Sequence, residues 1–169
     1  SAATLKKPLF TERFFGGIFG ATTLKDGSHQ IRLNGRLDRI DILDAQLKTV
    51  RLVDYKTGKA KSANDIEAKT KTALTYLSER EQNLPEEIRG SYKRQLVFYV
   101  LLAKLDESFP YSVTDTVFEF VEPTSSGKIV ARSFNITSQE IELLTNLIIE
   151  VMREIRSLDF LAELHSEEE

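Results

Sequence analysis

A mixed α/β fold, with a β-sheet flanked by helices, is predicted by three features of this 169-residue chain. Residues 10–56 contain three segments of alternating apolar character separated by turn signals. The later run QLVFYVLLAKL, residues 95–105, is apolar nearly all round and calls for a helix buried on most sides. Two further alternating segments follow it, and then a stretch with helical period closes the chain. The coarse order is β-β-β-(variable)-α-β-β-α.

The strands are expected over residues 10–23, 29–43 and 49–56, with turns at Gly27-Ser28 and at Asp44 to Lys48. In the middle segment Ile31, Leu33 and Leu37 are at odd positions, but Ile40 and Ile42 are at even ones. The apolar phase therefore switches beside Asp38. A β-bulge, a crossing between two cores, or a strand ending at Asp38 would each produce that switch. Residues 57–91 show no sustained period, and helix is expected only around Asn64 to Leu77. Glu86 to Leu105 reads as one helix, with Pro85 suited to its first turn. Strands are expected near 113–122 and 128–135, joined by Pro123 to Gly127. In the last helix Thr137 and Glu140 form a capping box. Ile141, Leu144, Ile148, Val151, Ile155 and Leu158 trace its apolar face, and the HSEEE tail beyond Leu164 is expected to fray.

The length suits one domain with a sizeable core. Zero cysteines exclude disulfides, thiolate zinc sites and cysteine-ligated iron–sulfur clusters. No apolar run approaches a membrane span and nothing at the start reads as a signal peptide, so a cytoplasmic setting and no membrane partner are expected. The net charge of −3 conceals an uneven distribution. Residues 1–61 hold 12 Lys+Arg against 6 Asp+Glu, whereas the remainder holds 11 against 20. A basic region of this kind suits a nucleic-acid partner, because phosphate neutralisation is local.

That basic region also holds the most informative residues. Asp38 lies on one predicted strand and Asp54-Tyr55-Lys56 on the next. Alternation points Asp54 and Lys56 the same way, continuing the face of Val50 and Leu52. Two carboxylates offer hard oxygen ligands to Mg²⁺ or Mn²⁺, and a lysine offsets charge on an attacked phosphate. The plain alternative for each aspartate is a solvated strand-end carboxylate or a salt bridge to Arg36 or Arg39. For Lys56 it is an ion pair with either aspartate. Tyr55 faces the other way and is expected to be a core aromatic.

Gly35-Arg36-Leu37-Asp38, then Asp54-Tyr55-Lys56-Thr57-Gly58, then Gln95 with Tyr99 together resemble the three core motifs of the RecB-type branch of the PD-(D/E)xK nuclease superfamily. The resemblance covers about residues 30–105. It implies a restriction-endonuclease-like core and a metal-dependent deoxyribonuclease, with Mg²⁺ or Mn²⁺ held by Asp38, Asp54 and the Tyr55 carbonyl. Lys56 would stabilise the attacking hydroxide and the phosphorane, while Gln95 and Tyr99 would position Lys56 and the DNA strand. Arg36, Arg94 and Tyr92 are candidate DNA contacts, with plain surface roles the alternative for the last two. Gly58 would allow a close backbone approach or simply form a turn.

RQLVFYVLL followed by FEFVEP resembles the C-terminal nuclease domain attached to UvrD/Rep-type helicases, as in RecBCD- and AddAB-like enzymes. It implies one nuclease domain over 1–169, belonging to a larger DNA repair or recombination helicase-nuclease whose motor lies upstream or on a partner subunit. This branch usually draws a further metal ligand, often histidine, from a helix before the first strand. His29, in a turn, and His165, in the tail, do not fit that place and read as solvated; Glu12 is a possible substitute, with a structural strand residue the favoured reading. The alternative function is a nuclease fold with an incomplete site, serving as a DNA-binding or scaffolding module.

Overall fold

Two adjacent strands of the predicted core, and the helix that leads away from them, set the order of the whole sheet. The computed structural model describes residues 8–17 and 21–157. Five strands lie in the order β1 (Phe10–Phe15), β4 (Gly35–Asp44), β5 (Thr49–Lys56), β6 (Ser112–Phe120) and β7 (Val130–Phe134). A separate hairpin is formed by β2 (Thr22–Asp26) and β3 (His29–Leu33). Within the five-stranded sheet only β5 and β6 pair in parallel. A parallel neighbour requires a crossover, and the long helix α5 (Ser91–Leu105) supplies it. The result is the mixed sheet flanked by helices that the motifs imply, with β4 and β5 adjacent and β6 beside β5.

Two expected strands are each broken in two. The segment expected over 10–23 ends at Phe15, because Gly16 adopts φ +81 and a Cβ there would stand 2.5 Å from the Leu33 carbonyl oxygen. That expected over 29–43 breaks at Asn34, which lets β3 leave the main sheet and pair with β2. The hairpin then packs Leu24 and Ile31 against Leu101 of α5.

The core explains why α5 is apolar all round. Leu102 and Ala103 face the sheet, meeting Phe15, Leu37, Ile40, Val50 and Leu52. Val97 packs with Ile88 and with Leu144 of α6 (Ser138–Ser157) in a second cluster. The capping box at the start of α6 forms in both directions: the Thr137 N–H donates to Glu140 Oε2 at 2.6 Å, and the Glu140 N–H donates to Thr137 Oγ1 at 3.2 Å. Glu140 also takes Lys93 of α5 as a buried ion-pair partner at 2.9 Å. Of the expected apolar face, Ile141, Leu144 and Ile148 pack as predicted, but Ile155 lies 48% exposed. Leu158, His165 and the tail fall outside the described residues. Among the described residues no helix is long and apolar enough to cross a membrane.

The unreadable segment is four single turns of helix: α1 (Ala63–Ile66), α2 (Lys71–Thr75), α3 (Glu79–Gln82) and α4 (Glu86–Arg89). Ser62, Thr70 and Ser78 cap the first three by accepting from Asp65, Ala73 and Glu81 N–H groups. The single helix expected over 86–105 is interrupted at Gly90, which has φ −67 and ψ 125. There α5 presses against the end of α1, and a Cβ on Gly90 would stand 2.1 Å from the Ile66 carbonyl oxygen.

Candidate active site

The site forms where β4 and β5 part. Along β5 the core side chains Val50 and Leu52 are followed on the same face by Asp54 and Lys56. Pairing with β4 stops at Arg39↔Val53, so Asp38 and Asp54 are left on diverging strands. Asp38 Oδ2 accepts the Tyr55 N–H at 2.7 Å, replacing the missing ladder bond. Beside Asp38 the apolar phase does slip. Leu37 and Ile40 have opposite parity, yet both are fully buried in one core. On the neighbouring strand the residue opposite Asp38 is Glu12, held at φ +53 and missing from the register between β1 and β4.

Asp54 is 4% exposed and sits at the centre of a network. Its Oδ2 is 2.8 Å from Lys56 Nζ, which donates to Gln95 Oε1 at 2.6 Å. Gln95 Nε2 donates to the Tyr99 hydroxyl at 2.8 Å, and that hydroxyl donates to Asp54 Oδ1 at 3.1 Å. A longer contact, 3.3 Å, joins Gln95 Nε2 directly to Asp54 Oδ1. Helical spacing of four residues stacks Gln95 over Tyr99 and makes this relay possible. The Lys56 ammonium also lies 5.0 Å from the ring centroids of both Tyr92 and Phe118. Phe118 is a site residue that sequence reading missed. It pairs in register with Asp54 on the parallel strand and so shares its face.

Burial pushes the Asp54 carboxyl above its ordinary range. The hydrogen bond and charge of Lys56 oppose that rise, and the negative charge of Asp38 adds to it. Burial also pushes the Tyr99 hydroxyl up to about 12, with Asp54's charge contributing, so Tyr99 remains a donor at neutral pH.

These residues fit a hard divalent cation. Although Oδ2 of Asp54 has the ammonium nearby, it is buried and accepts no well-directed hydrogen bond. The Asp38 carboxylate has no basic side chain within ion-pairing distance among the described residues, because Arg36 pairs with Glu12 and Arg39 pairs with Asp41 and Glu119. Strand alternation turns the Tyr55 carbonyl to the same side as its N–H, toward Asp38. Among the described residues no three His, Cys, Asp or Glu side chains converge. Two carboxylates and a carbonyl suit Mg²⁺, which retains several waters and binds through few protein ligands.

The other candidates are dispersed. Arg36 is largely exposed beside Glu12, at 3.8 Å. Arg94 is drawn into the fold, donating to the Ile88 and Arg89 carbonyls and to Glu81. Tyr92 packs on Phe118 at 5.5 Å. Tyr55 is not a core aromatic: it is 41% exposed on the opposite face, with its ring against Arg39. At that end of the face Arg39 pairs with Asp41 and Glu119 beside the ring, and no helix covers Tyr55 among the described residues. Gly58 belongs to a turn and donates its N–H to Glu122 at 2.8 Å. His29 is exposed at the start of β3.

Comparison with known proteins adds a family. The sequence model described as the PD-(D/E)XK nuclease superfamily matches residues 2–166. No curated protein matches the sequence. Among solved structures, the one titled "Crystal structure of SSO0001" is similar at 13% identity and a TM-score of 0.43. The match covers 85% of this chain and 50% of that one, so this chain spans about half the length of the protein it resembles.

Proposed function

We propose that this chain, which belongs to the PD-(D/E)XK nuclease superfamily, hydrolyses DNA phosphodiester bonds with Mg²⁺ or Mn²⁺ held by Asp38, Asp54 and the Tyr55 carbonyl. The observation that carries this is the buried Asp54 carboxyl, raised by burial and by the charge of Asp38 even with the Lys56 ammonium 2.8 Å away, at the point where two strands part. One ammonium beside two carboxylates leaves surplus negative charge, which a divalent cation would offset. When bound, the cation neutralises phosphate charge and acidifies a water. Lys56 places a fixed positive charge at the same point, and Gln95 and Tyr99 hold Asp54 and Lys56 in one orientation. Arg36, exposed near the mouth, is available to a DNA phosphate, as is the edge of Tyr92.

The finer reading is of the RecB-type branch. The three motifs occur in order on β4, β5 and α5, and this supports a single nuclease domain working in DNA repair or recombination beside a UvrD/Rep-type helicase module. That module would be in the same parent chain or a partner subunit. The cysteine-free sequence suits the cytoplasmic setting such a complex requires.

Lys56→Ala is expected to lower the single-turnover cleavage rate by about a hundredfold, the usual cost of one preorganised charge donor. Salt-sensitive DNA binding should change little, since it depends on basic residues spread over the surface. Rates with Mg²⁺, with Mn²⁺ and with chelator, alongside filter binding at two salt concentrations, check both halves. An unchanged rate in Lys56→Ala would show that the cleavage comes from a contaminant and not from this site, which favours the scaffolding reading.

The pH dependence follows from Asp54. Its folded carboxyl holds a proton more tightly than an exposed aspartate, whose ordinary value is about 3.9. Protons therefore compete with the cation at higher pH, and the acid limb of the cleavage profile should lie above the ordinary aspartate range. Removing Lys56 removes an opposing influence, so the same limb in Lys56→Ala should move to still higher pH. A limb that stays in place would show that Asp54 does not govern it.

A further inference from the structure

We propose that the cleft between the α1–α2 segment and the start of α5 is a stacking subsite for one unpaired base of the DNA strand being cut. The inference rests on the nuclease reading and specifies where its substrate lies. The cleft has a volume of about 390 Å³, within the range of small-ligand pockets. Its lining includes Lys61, Tyr76, Tyr92 and Gly90.

Two observations point to a base. Tyr76, at the end of α2, is 82% exposed, the largest exposure among the big apolar and aromatic side chains described. A tyrosine held in the open is a ready platform, because every base has a π-face and stacking is tolerant of sequence. Tyr92 connects this cleft to the catalytic network: its ring centroid lies 5.0 Å from Lys56 Nζ and 5.4 Å from Lys61 Nζ. Two ammoniums on one ring form a short positive track from the reacting phosphate into the cleft, suited to successive phosphates of one strand. Asp65 in the lining is held ionised by the Ser62 and Thr70 hydroxyls, each at 2.7 Å, and offsets part of the charge of Lys61.

A base inside a duplex is stacked and paired and cannot present its face to Tyr76. The subsite therefore favours single strands or frayed ends over intact duplex. Gly90 keeps the floor of the cleft close to α1, where a larger residue would collide with the Ile66 carbonyl.

The test uses an oligonucleotide with 2-aminopurine at successive positions, in chelator so that nothing is cut. Wild type should quench the fluorophore at one position and bind single strand more tightly than duplex. Tyr76→Ala should abolish that quenching and weaken single-strand binding about tenfold, leaving duplex binding unchanged, while Tyr76→Phe retains both. Tyr76 is too exposed for its loss to disturb folding, and an unchanged melting temperature checks this. If wild type cuts DNA with added metal but Tyr76→Ala quenches and binds as wild type does, the subsite is refuted and the nuclease reading stands. If wild type neither binds nor cuts DNA, both are refuted.

Discussion

Asp54→Asn should lose DNA cleavage by about a thousandfold or more and still fold. The size follows from the role: a ligand whose removal forfeits the cation forfeits several kcal/mol of charge stabilisation, at about 1.4 kcal/mol per tenfold. The survival of the fold follows from burial. Asp54's carboxyl is raised above its unfolded value chiefly by desolvation. The folded protein thus holds that proton more tightly than the unfolded one. Its contribution to stability is complete below the unfolded value of about 3.8 and is lost as pH rises through the folded one. At neutral pH the ionised group is a burden, and asparagine removes it while keeping a partner for Tyr99. Metal-free Asp54→Asn should therefore melt no lower than wild type at pH 7. Thermal melts and single-turnover rates on the same preparation check the pair. A variant that loses activity only because it unfolds would assign Asp54 a structural role instead.

Gly90→Val should be the opposite case, a loss of fold at a residue with no chemistry. A Cβ on Gly90 would stand 2.1 Å from the Ile66 carbonyl oxygen and 2.9 Å from the Glu67 carbonyl carbon. Both are backbone atoms, and no rotamer change relieves them. Either α1 moves off α5, exposing the fully buried Ile66 and Ile88, or the start of α5 shifts. The expected cost is at or beyond about 4 kcal/mol, in the exceptional range for one substitution. Chemical denaturation should show a large fall in midpoint. Gly90→Ala should be destabilised as well, since the clash begins at Cβ. A wild-type midpoint in either variant would mean that this contact is not held in solution.

The residues legible in the sequence were those whose chemistry and period agreed. On β5 a buried apolar face continues into Asp54 and Lys56, and alternation alone puts them together. Gln95 and Tyr99 were legible because a four-residue step on a helix is a fixed geometry. A helix leading from one strand to the next, as α5 does, is what a parallel β6 beside β5 requires. What escaped was set by contacts distant in sequence. The break at Gly90 depends on the carbonyl of Ile66, 24 positions earlier. The breaks at Gly16 and Asn34 depend on each other, because Gly16 is pressed against the Leu33 carbonyl. Phe118 joins the site only through parallel register with Asp54. Tyr55 was misread because alternation says which face a residue takes, not whether anything covers it.

One stretch was readable after all. Ser62-x-x-Asp65, Thr70-x-x-Ala73 and Ser78-x-x-Glu81 recur eight residues apart, and the last is a complete capping box. Each turn is too short to show a hydrophobic period, so caps were the only local signal.

Asp38, Asp54 and the Tyr55 carbonyl are expected to hold one divalent cation between them. Anomalous diffraction from crystals soaked in Mn²⁺ would locate it. A single strong peak should lie at the parting of β4 and β5, within bonding distance of both carboxylates and absent from Asp54→Asn. A well-diffracting Mn²⁺-soaked crystal with no peak there, or with a peak unaffected by Asp54→Asn, would rule this cation site out.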